Sequence, residues 1–295
     1  EIESYDQKAV DKIVREIAKY VFDNALELAK MSVDETGMGG VEYKKNKNLG
    51  KARIMWHSLK GKKSVGVISE DEEAGIIEVA KPVGVVGAIQ PTTNPQVTPM
   101  ANAMSAIKGR NSIIIAPHPR AEKTTKYLVD RWNELLDKMA APKNLIQYVD
   151  GASVERTKLL MQKADVIVAT GGPGMVKAAY SSGKPSYGVG QGNVQTIIDR
   201  DANMKDAIKM IVDGRIFDNG IICSGEQTII TPVERYEEMR KELEAYGGYW
   251  IEREEDRDKL LNVLFPEGKT NKDMVGQTVQ HIAEAAGVDI PEETK

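Results

Sequence analysis

Residues 83–116 read VGVVGAIQPTTNPQVTPMANAMSAIKGRNSIIIA. Two short apolar runs, 83–89 and 112–116, flank a segment at 97–107 of helical length and composition. An apolar run of that length without alternation suits a strand buried on both faces. Pro91-Thr92-Thr93-Asn94-Pro95 between the first run and the helix makes a rigid loop. Both prolines fix φ and restrict the residue before them, and Pro99 is tolerated in the first helical turn. Strand, helix and strand in this order form a βαβ unit.

The rhythm continues outward. Helices are expected at 121–139, 154–163 and 175–182, and strands at 145–149 and 165–169. The fold class is therefore α/β, a mostly parallel open sheet with helices on both faces. After 194–198, read as a strand, come a helix at 204–216, a strand at 227–231 and helices at 233–246, 254–264 and 271–286. The domain boundary is expected near 213–220, giving a first domain 1–215 and a second α/β domain from 216. Upstream, Asp6 is placed to cap one long amphipathic helix in which Val10, Ile13, Ile17 and Val21 recur at helical spacing, ended by Gly37-Met38-Gly39-Gly40. A helix at 47–59 follows, then strands at 63–68 and 75–80 joined by an acidic turn. That hairpin, 63–80, reads equally as a plain surface ribbon or as an arm reaching a second subunit.

A net charge of −4 with interspersed signs argues against nucleic acid as a partner. One cysteine excludes a disulfide framework and a multi-Cys zinc site, so no metal is expected and a reducing cytoplasm fits. No apolar run approaches the roughly 18–20 residues that span a bilayer, so no membrane partner is expected. The first residues are amphipathic and acidic rather than signal-like, and residues before Glu1 stay open.

That one cysteine sits in Phe217-Asp218-Asn219-Gly220-Ile221-Ile222-Cys223-Ser224-Gly225-Glu226-Gln227, between a helix and a strand. It reads either as a small buried hydrophobe or as a thiol presented on a turn. Gly171-Gly172-Pro173-Gly174 lies between a strand and a helix, where glycines admit a ligand to the backbone and the helix N-terminus favours an anion; a plain tight turn is the rival. Gly188-Val189-Gly190-Gln191-Gly192 looks like a dinucleotide fingerprint, but a strand rather than a helix follows it, so that reading is rejected. A glycine-rich wall beside an active site remains. His118, between two prolines after a strand, lies where open α/β sheets bind ligands. Neighbouring Arg120 is either a phosphate contact or a solvated surface charge. Asn94 suits an amide donating to an oxyanion, or an Asx turn.

Assembled, these segments resemble the CoA-acylating branch of the aldehyde dehydrogenase superfamily. The likeness is carried in order by Pro91-Thr92-Thr93-Asn94-Pro95, Lys108-Gly109-Arg110-Asn111, Ala116-Pro117-His118-Pro119-Arg120-Ala121, Ala169-Thr170-Gly171-Gly172, Tyr187-Gly188-Val189-Gly190-Gln191-Gly192-Asn193 and Asp218-Asn219-Gly220-Ile221-Ile222-Cys223-Ser224. Within that branch it is nearest to acylating succinate-semialdehyde dehydrogenases and to the aldehyde dehydrogenase half of bifunctional aldehyde-alcohol dehydrogenases.

The resemblance implies that Cys223 is the nucleophile, forming a thiohemiacetal and then a thioester, with Asn94 and the Cys223 N–H holding the oxyanion. NAD or NADP takes the hydride and coenzyme A takes the acyl group. Pro117, His118 and Pro119 would line the adenosine end of the cofactor, with Arg120 leaving room for a 2′-phosphate. Thr170, Gly171 and Gly172 would approach its diphosphate or ribose, and Gly188 and Val189 would border the nicotinamide. Water-using relatives carry a glutamate near Gly188 as general base, and a glycine there cannot take a proton. The alternatives are a hydrolytic aldehyde dehydrogenase and a non-catalytic nucleotide-binding or assembly module. The resemblance also implies a continuation after Lys295 that completes the catalytic domain, so the 295-residue chain is expected to be inactive alone. It further implies a homo-oligomer, a dimer or tetramer, in the cytoplasm or a bacterial microcompartment.

Overall fold

Asp6 starts α1 (Gln7–Asp23), its Oδ1 accepting from the Ala9 N–H at 2.7 Å. Val10, Ile13, Val14, Ile17, Ala18 and Val21 form the buried stripe of that helix. The helix stops at Asn24, whose Nδ2 donates to the Tyr20 carbonyl at 2.8 Å, and α2 (Ala25–Thr36) begins after it. The single long helix expected here is therefore two. After α3 (Val41–Leu59), which begins earlier than the expected 47, β1 (Gly66–Asp71) and β2 (Ile76–Ala80) pair antiparallel as a two-stranded ribbon. Val67, Ile76, Ile77 and Val79 are exposed on it.

The computed structural model describes residues 1–295, which divide into residues 1–36 with 44–191 and residues 37–43 with 192–295. In the first unit, the chain runs through β3 (Val85–Ile89), α4 (Val97–Lys108), β4 (Ser112–Ala116), α5 (Glu122–Lys138), β5 (Ile146–Tyr148), α6 (Val154–Lys163), β6 (Val166–Thr170), α7 (Pro173–Tyr180) and β7 (Ser186–Val189). The strands form one parallel sheet in the order β5-β4-β3-β6-β7. Val86 and Ala88 face a core shared with α1, α4 and α5, which encloses Trp132 completely. Ile89 and Ile167 belong to a second core with Leu160 and Met161 of α6 and Ala179 of α7. Helices thus cover both faces, as a parallel sheet requires. The strand order reverses at β3, so the chain leaves β3 toward β4 and later crosses to β6 on the other side. Strand β7 was not anticipated. Ser186-Tyr187-Gly188-Val189 carries too little apolar signal, and only its pairing with β6 makes it a strand.

In the second unit β8 (Val194–Ile197) pairs in parallel with β9 (Glu226–Ile230). Around them pack α8 (Met204–Ile216) and α9 (Tyr236–Ala245), joined by Ile208, Ile211, Val212 and Met239. Helices α10 (Glu254–Leu264) and α11 (Val279–Ala286) follow. The helix expected over 271–286 forms only from 279, because Gly276 sits at φ 77°, outside helical geometry. The division at 192, rather than in 213–220, follows from the β8–β9 pairing, which ties residues 194–197 to 226–230. No helix is long and apolar enough to cross a membrane.

Candidate active site

In the first unit every residue singled out as a cofactor contact lies along one edge of the sheet, the edge formed by the carboxyl ends of its strands. Register sets this: Ile89 is level with Ala116 and with Ala169, and Thr170 with Val189. The loops 90–96, 117–121 and 171–172 therefore leave the sheet side by side, flanking the point where strand order reverses. That is where open α/β sheets take ligands.

The loop after β4 is closed by its own side chains. The His118 Nδ1 accepts from the Arg120 N–H at 3.1 Å and caps a short 3₁₀ turn, Pro119–Ala121. Pro117 is buried, His118 half-buried, and Pro119 and Arg120 exposed. The following helix, α5, does not offer its N-terminus to a phosphate. Both Glu35 carboxylate oxygens accept from it, Oε1 from the Lys123 N–H and Oε2 from the Thr124 N–H, each at 2.7 Å. The loop after β6 differs. Gly172 caps α7 with no side chain, and a Cβ built at Gly172 or Gly174 would meet nothing within 4 Å. Pro173 has no N–H and the Met175 and Val176 N–H groups donate to the Gly172 carbonyl at 3.0 and 3.2 Å, so the Gly174 N–H is the first-turn donor of α7 left for an anion. Of these two helix starts, that of α5 is closed by a side chain and that of α7 is not.

Gly188, in β7, is a glycine for a packing reason. A Cβ there would lie 2.7 Å from Val176 Cγ1 and 2.8 Å from Tyr180 Cε2. The Gly188 N–H also donates to the Tyr180 hydroxyl at 3.1 Å. A side chain at this position requires α7 to give way.

Asn94 is half-buried in the loop after β3, beside buried Pro95 and Gln96. Two lysines of α3 reach this loop from below. Lys47 Nζ donates to Asn94 Oδ1 at 2.8 Å, and Lys44 Nζ to the Thr93 carbonyl at 3.2 Å. Both lysines are buried. They are i,i+3 neighbours on one helix face. Asn94 Nδ2 lies 3.3 Å from Thr93 Oγ1.

In the second unit Cys223 is exposed, which removes the reading of it as a buried hydrophobe. The turn leading to it is unusual. Asp218 (φ 54°), Asn219 (φ 53°) and Gly220 (φ 72°) are consecutive left-handed residues. Asp and Asn tolerate that region best among residues with a Cβ, because their short polar side chains find local partners. Here Asp218 is fully buried and its Oδ1 accepts from the Gly40 N–H at 3.1 Å, while Asn219 Nδ2 donates to the Gly276 carbonyl at 2.9 Å. Two non-glycine left-handed residues in succession, Asp218 and Asn219, store strain of a kind that clusters at functional turns. Gly192 backs Cys223 so closely that a Cβ on it would lie 1.9 Å from the Cys223 carbonyl oxygen.

Residues 2–250 match the model described as the aldehyde dehydrogenase family. The chain belongs to the aldehyde dehydrogenase family. It is 49% identical over 294 residues to the acetylating succinate-semialdehyde dehydrogenase of Clostridium kluyveri, covering 100% of this chain and 65% of that protein. It is 42% identical over 297 residues to the bifunctional aldehyde-alcohol dehydrogenase of Escherichia coli, covering 100% and 33%. Among solved structures, an acetylating aldehyde dehydrogenase from Geobacillus thermoglucosidasius superposes with a TM-score of 0.95 at 42% identity, covering 100% of this chain and 65% of that one. A propionaldehyde dehydrogenase from Rhodopseudomonas palustris, solved with CoA and an acylated cysteine, does so at 0.87 and 30%, covering 100% and 67%. The chain thus spans about two thirds, or one third, of the length of these curated relatives.

Sequence reasoning passed over three residues that hold the candidate loops of the first unit. Lys44 and Lys47 lie in Lys44-Lys45-Asn46-Lys47, which reads as a solvated charge run. Their i,i+3 spacing was the available signal. Glu35 gave none, since it acts on a backbone distant in sequence.

Proposed function

We propose that the chain carries the cofactor-binding and nucleophile-bearing parts of a CoA-acylating aldehyde dehydrogenase. The reaction is aldehyde + CoA + NAD(P)⁺ to acyl-CoA + NAD(P)H + H⁺, or its reverse. The observation that carries the reading is the placement of the one thiol in the chain, exposed at the end of a left-handed turn and backed by Gly192. Kinship with acetylating and acylating enzymes supports the acceptor.

Cys223 as thiolate attacks the aldehyde carbonyl, which forms a C–S bond and leaves the charge on oxygen. The Asn94 carboxamide and the Cys223 N–H donate to that oxyanion. The nicotinamide cofactor, when bound, supplies the hydride acceptor. The Gly174 N–H at the start of α7, open because Gly172 and Gly174 carry no side chain, would hold its diphosphate, and the loop 117–120 would border its adenosine. Cys223 then holds the acyl group as a thioester, and the thiolate of CoA displaces it, exchanging one thioester for another. No carboxylate fits at Gly188 without moving Val176 and Tyr180, so water is left without that base and a thiol competes for the acyl group.

Acetaldehyde, propionaldehyde, succinate semialdehyde and sulfoacetaldehyde all suit this chemistry. The test is reduced-nicotinamide formation from that panel by the protein as its gene encodes it, with and without CoA, beside Cys223→Ala. The reading requires signal that depends on both CoA and Cys223. Sustained turnover without CoA would make water the acceptor and refute it. The exposed apolar ribbon β1–β2 supports a homo-oligomer, tested by sedimentation of an Ile77→Glu variant, which is expected to dissociate.

A further inference from the structure

We propose that Lys47 is a positioning residue for Asn94. It fixes which end of the Asn94 carboxamide faces the reaction, and strengthens its N–H as a donor. The inference rests on the reading of Asn94 as the oxyanion donor and adds the group that makes it one.

A carboxamide is nearly symmetric in shape, and its oxygen and nitrogen are told apart by their partners. An ammonium group has three donors and no acceptor, so whatever faces it must be the carbonyl oxygen. Lys47 Nζ sits 2.8 Å from Asn94 Oδ1, a charge-assisted distance. That bond directs Nδ2 away from α3. One of its two N–H groups is within 3.3 Å of Thr93 Oγ1, which leaves the other for a ligand. If the amide turned over, its oxygen would face the developing oxyanion and repel it.

Lys47 itself is fixed. It is 6% exposed, and Lys44, one turn back, is 2% exposed and holds the Thr93 carbonyl of the same loop. A third residue of this helix face, Asn48, is also buried and donates through Nδ2 to the Ala25 carbonyl at 3.0 Å, tying α3 to the start of α2. A buried cation aimed at a carboxamide oxygen withdraws electrons from that amide, so the remaining N–H donates more strongly in a site of low dielectric.

The experiment is a double-mutant cycle in the protein as its gene encodes it: wild type, Lys47→Met, Asn94→Ala and the double variant. Rates are referred to the concentration of reactive Cys223 thiol. Asn94→Ala is expected to lower kcat by about 10²–10³-fold, the loss typical of one oxyanion donor. Lys47→Met is expected to lower kcat about tenfold or more, with KM for nicotinamide cofactor and for CoA within about twofold of wild type. The double variant should be no slower than Asn94→Ala alone. A conservative variant, Lys47→Gln, keeps a neutral donor and should recover part of the rate; it also carries the cycle if Lys47→Met does not fold. Multiplying losses in the double variant, or wild-type kcat in both Lys47 variants, overturns the proposal while leaving the oxyanion role of Asn94 intact. An unchanged kcat in Asn94→Ala refutes that role instead, and the positioning proposal falls with it.

Discussion

Gly192 and Cys223 are in backbone contact: a Cβ at residue 192 would sit 1.9 Å from the Cys223 carbonyl oxygen, closer than any non-bonded approach. The clash is with backbone, so no side-chain rotation relieves it. Gly192→Ala must therefore push the 221–225 segment away from its position. A displacement of about 1 Å at a reacting group costs on the order of 10²-fold in rate. Turnover and the rate of Cys223 alkylation should both change, while nucleotide affinity, proposed to rest on 117–120 and 170–174, stays within about twofold. Wild-type turnover in this variant would mean that the contact does not position the thiol.

Gly188→Glu tests whether the water-activating base can simply be put back. Val176 and Tyr180 occupy the space, so overpacking should cost roughly 1–3 kcal/mol of stability, read by denaturant midpoint. CoA-independent turnover should stay at background. A hydrolytic enzyme arising from this one change would show that packing is not what excludes the base.

Asp218→Ala removes a buried acceptor of the Gly40 N–H and places a Cβ without a polar partner at φ 54°. The expected loss is roughly 2–4 kcal/mol, from the hydrogen bond and the left-handed backbone together. Asp218→Asn keeps an acceptor and a side chain that tolerates this region, and should cost clearly less. Equal losses in urea unfolding would mean that the charge, not the conformation, matters.

Asp213 gives a pH signature on the surface between α8 and α9. Its Oδ2 accepts from Lys209 Nζ at 2.7 Å and its Oδ1 from the Tyr246 hydroxyl at 3.0 Å. The Lys209 hydrogen bond first, then that of Tyr246, holds the carboxyl below the usual carboxylate range. A depressed folded-state pKa contributes stability that is full above the unfolded value of about 4 and is lost as pH falls through the folded value. Asp213→Asn should therefore lower Tm slightly at pH 7, with the difference from wild type closing on acidification below the ordinary carboxylate range. Salt should shrink it, since the pair is exposed. A difference that grows on acidification would reverse the assigned sign.

The sequence alone determined the α/β class, because apolar runs such as residues 112–116 read as strands buried on both faces and helices between them have their own period. It placed Asp6 as a cap, the Pro91–Pro95 loop as rigid and residues 171–174 as a glycine turn, all of which depend on local dihedral preferences. Six short segments in order carried the family. What it left open depends on contacts between residues far apart in the chain. Strand β7 exists only as the partner of β6, and the division at 192 exists only through the pairing of β8 with β9. Gly188 and Gly192 look alike in sequence, yet one makes room for Val176 and Tyr180 and the other for the Cys223 carbonyl. Lys47 reads as a solvated charge until the fold brings Asn94 Oδ1 within 2.8 Å of it. Local propensity is written residue by residue, whereas burial, steric exclusion and the partner of a charge are properties of the assembled structure and could be settled only there.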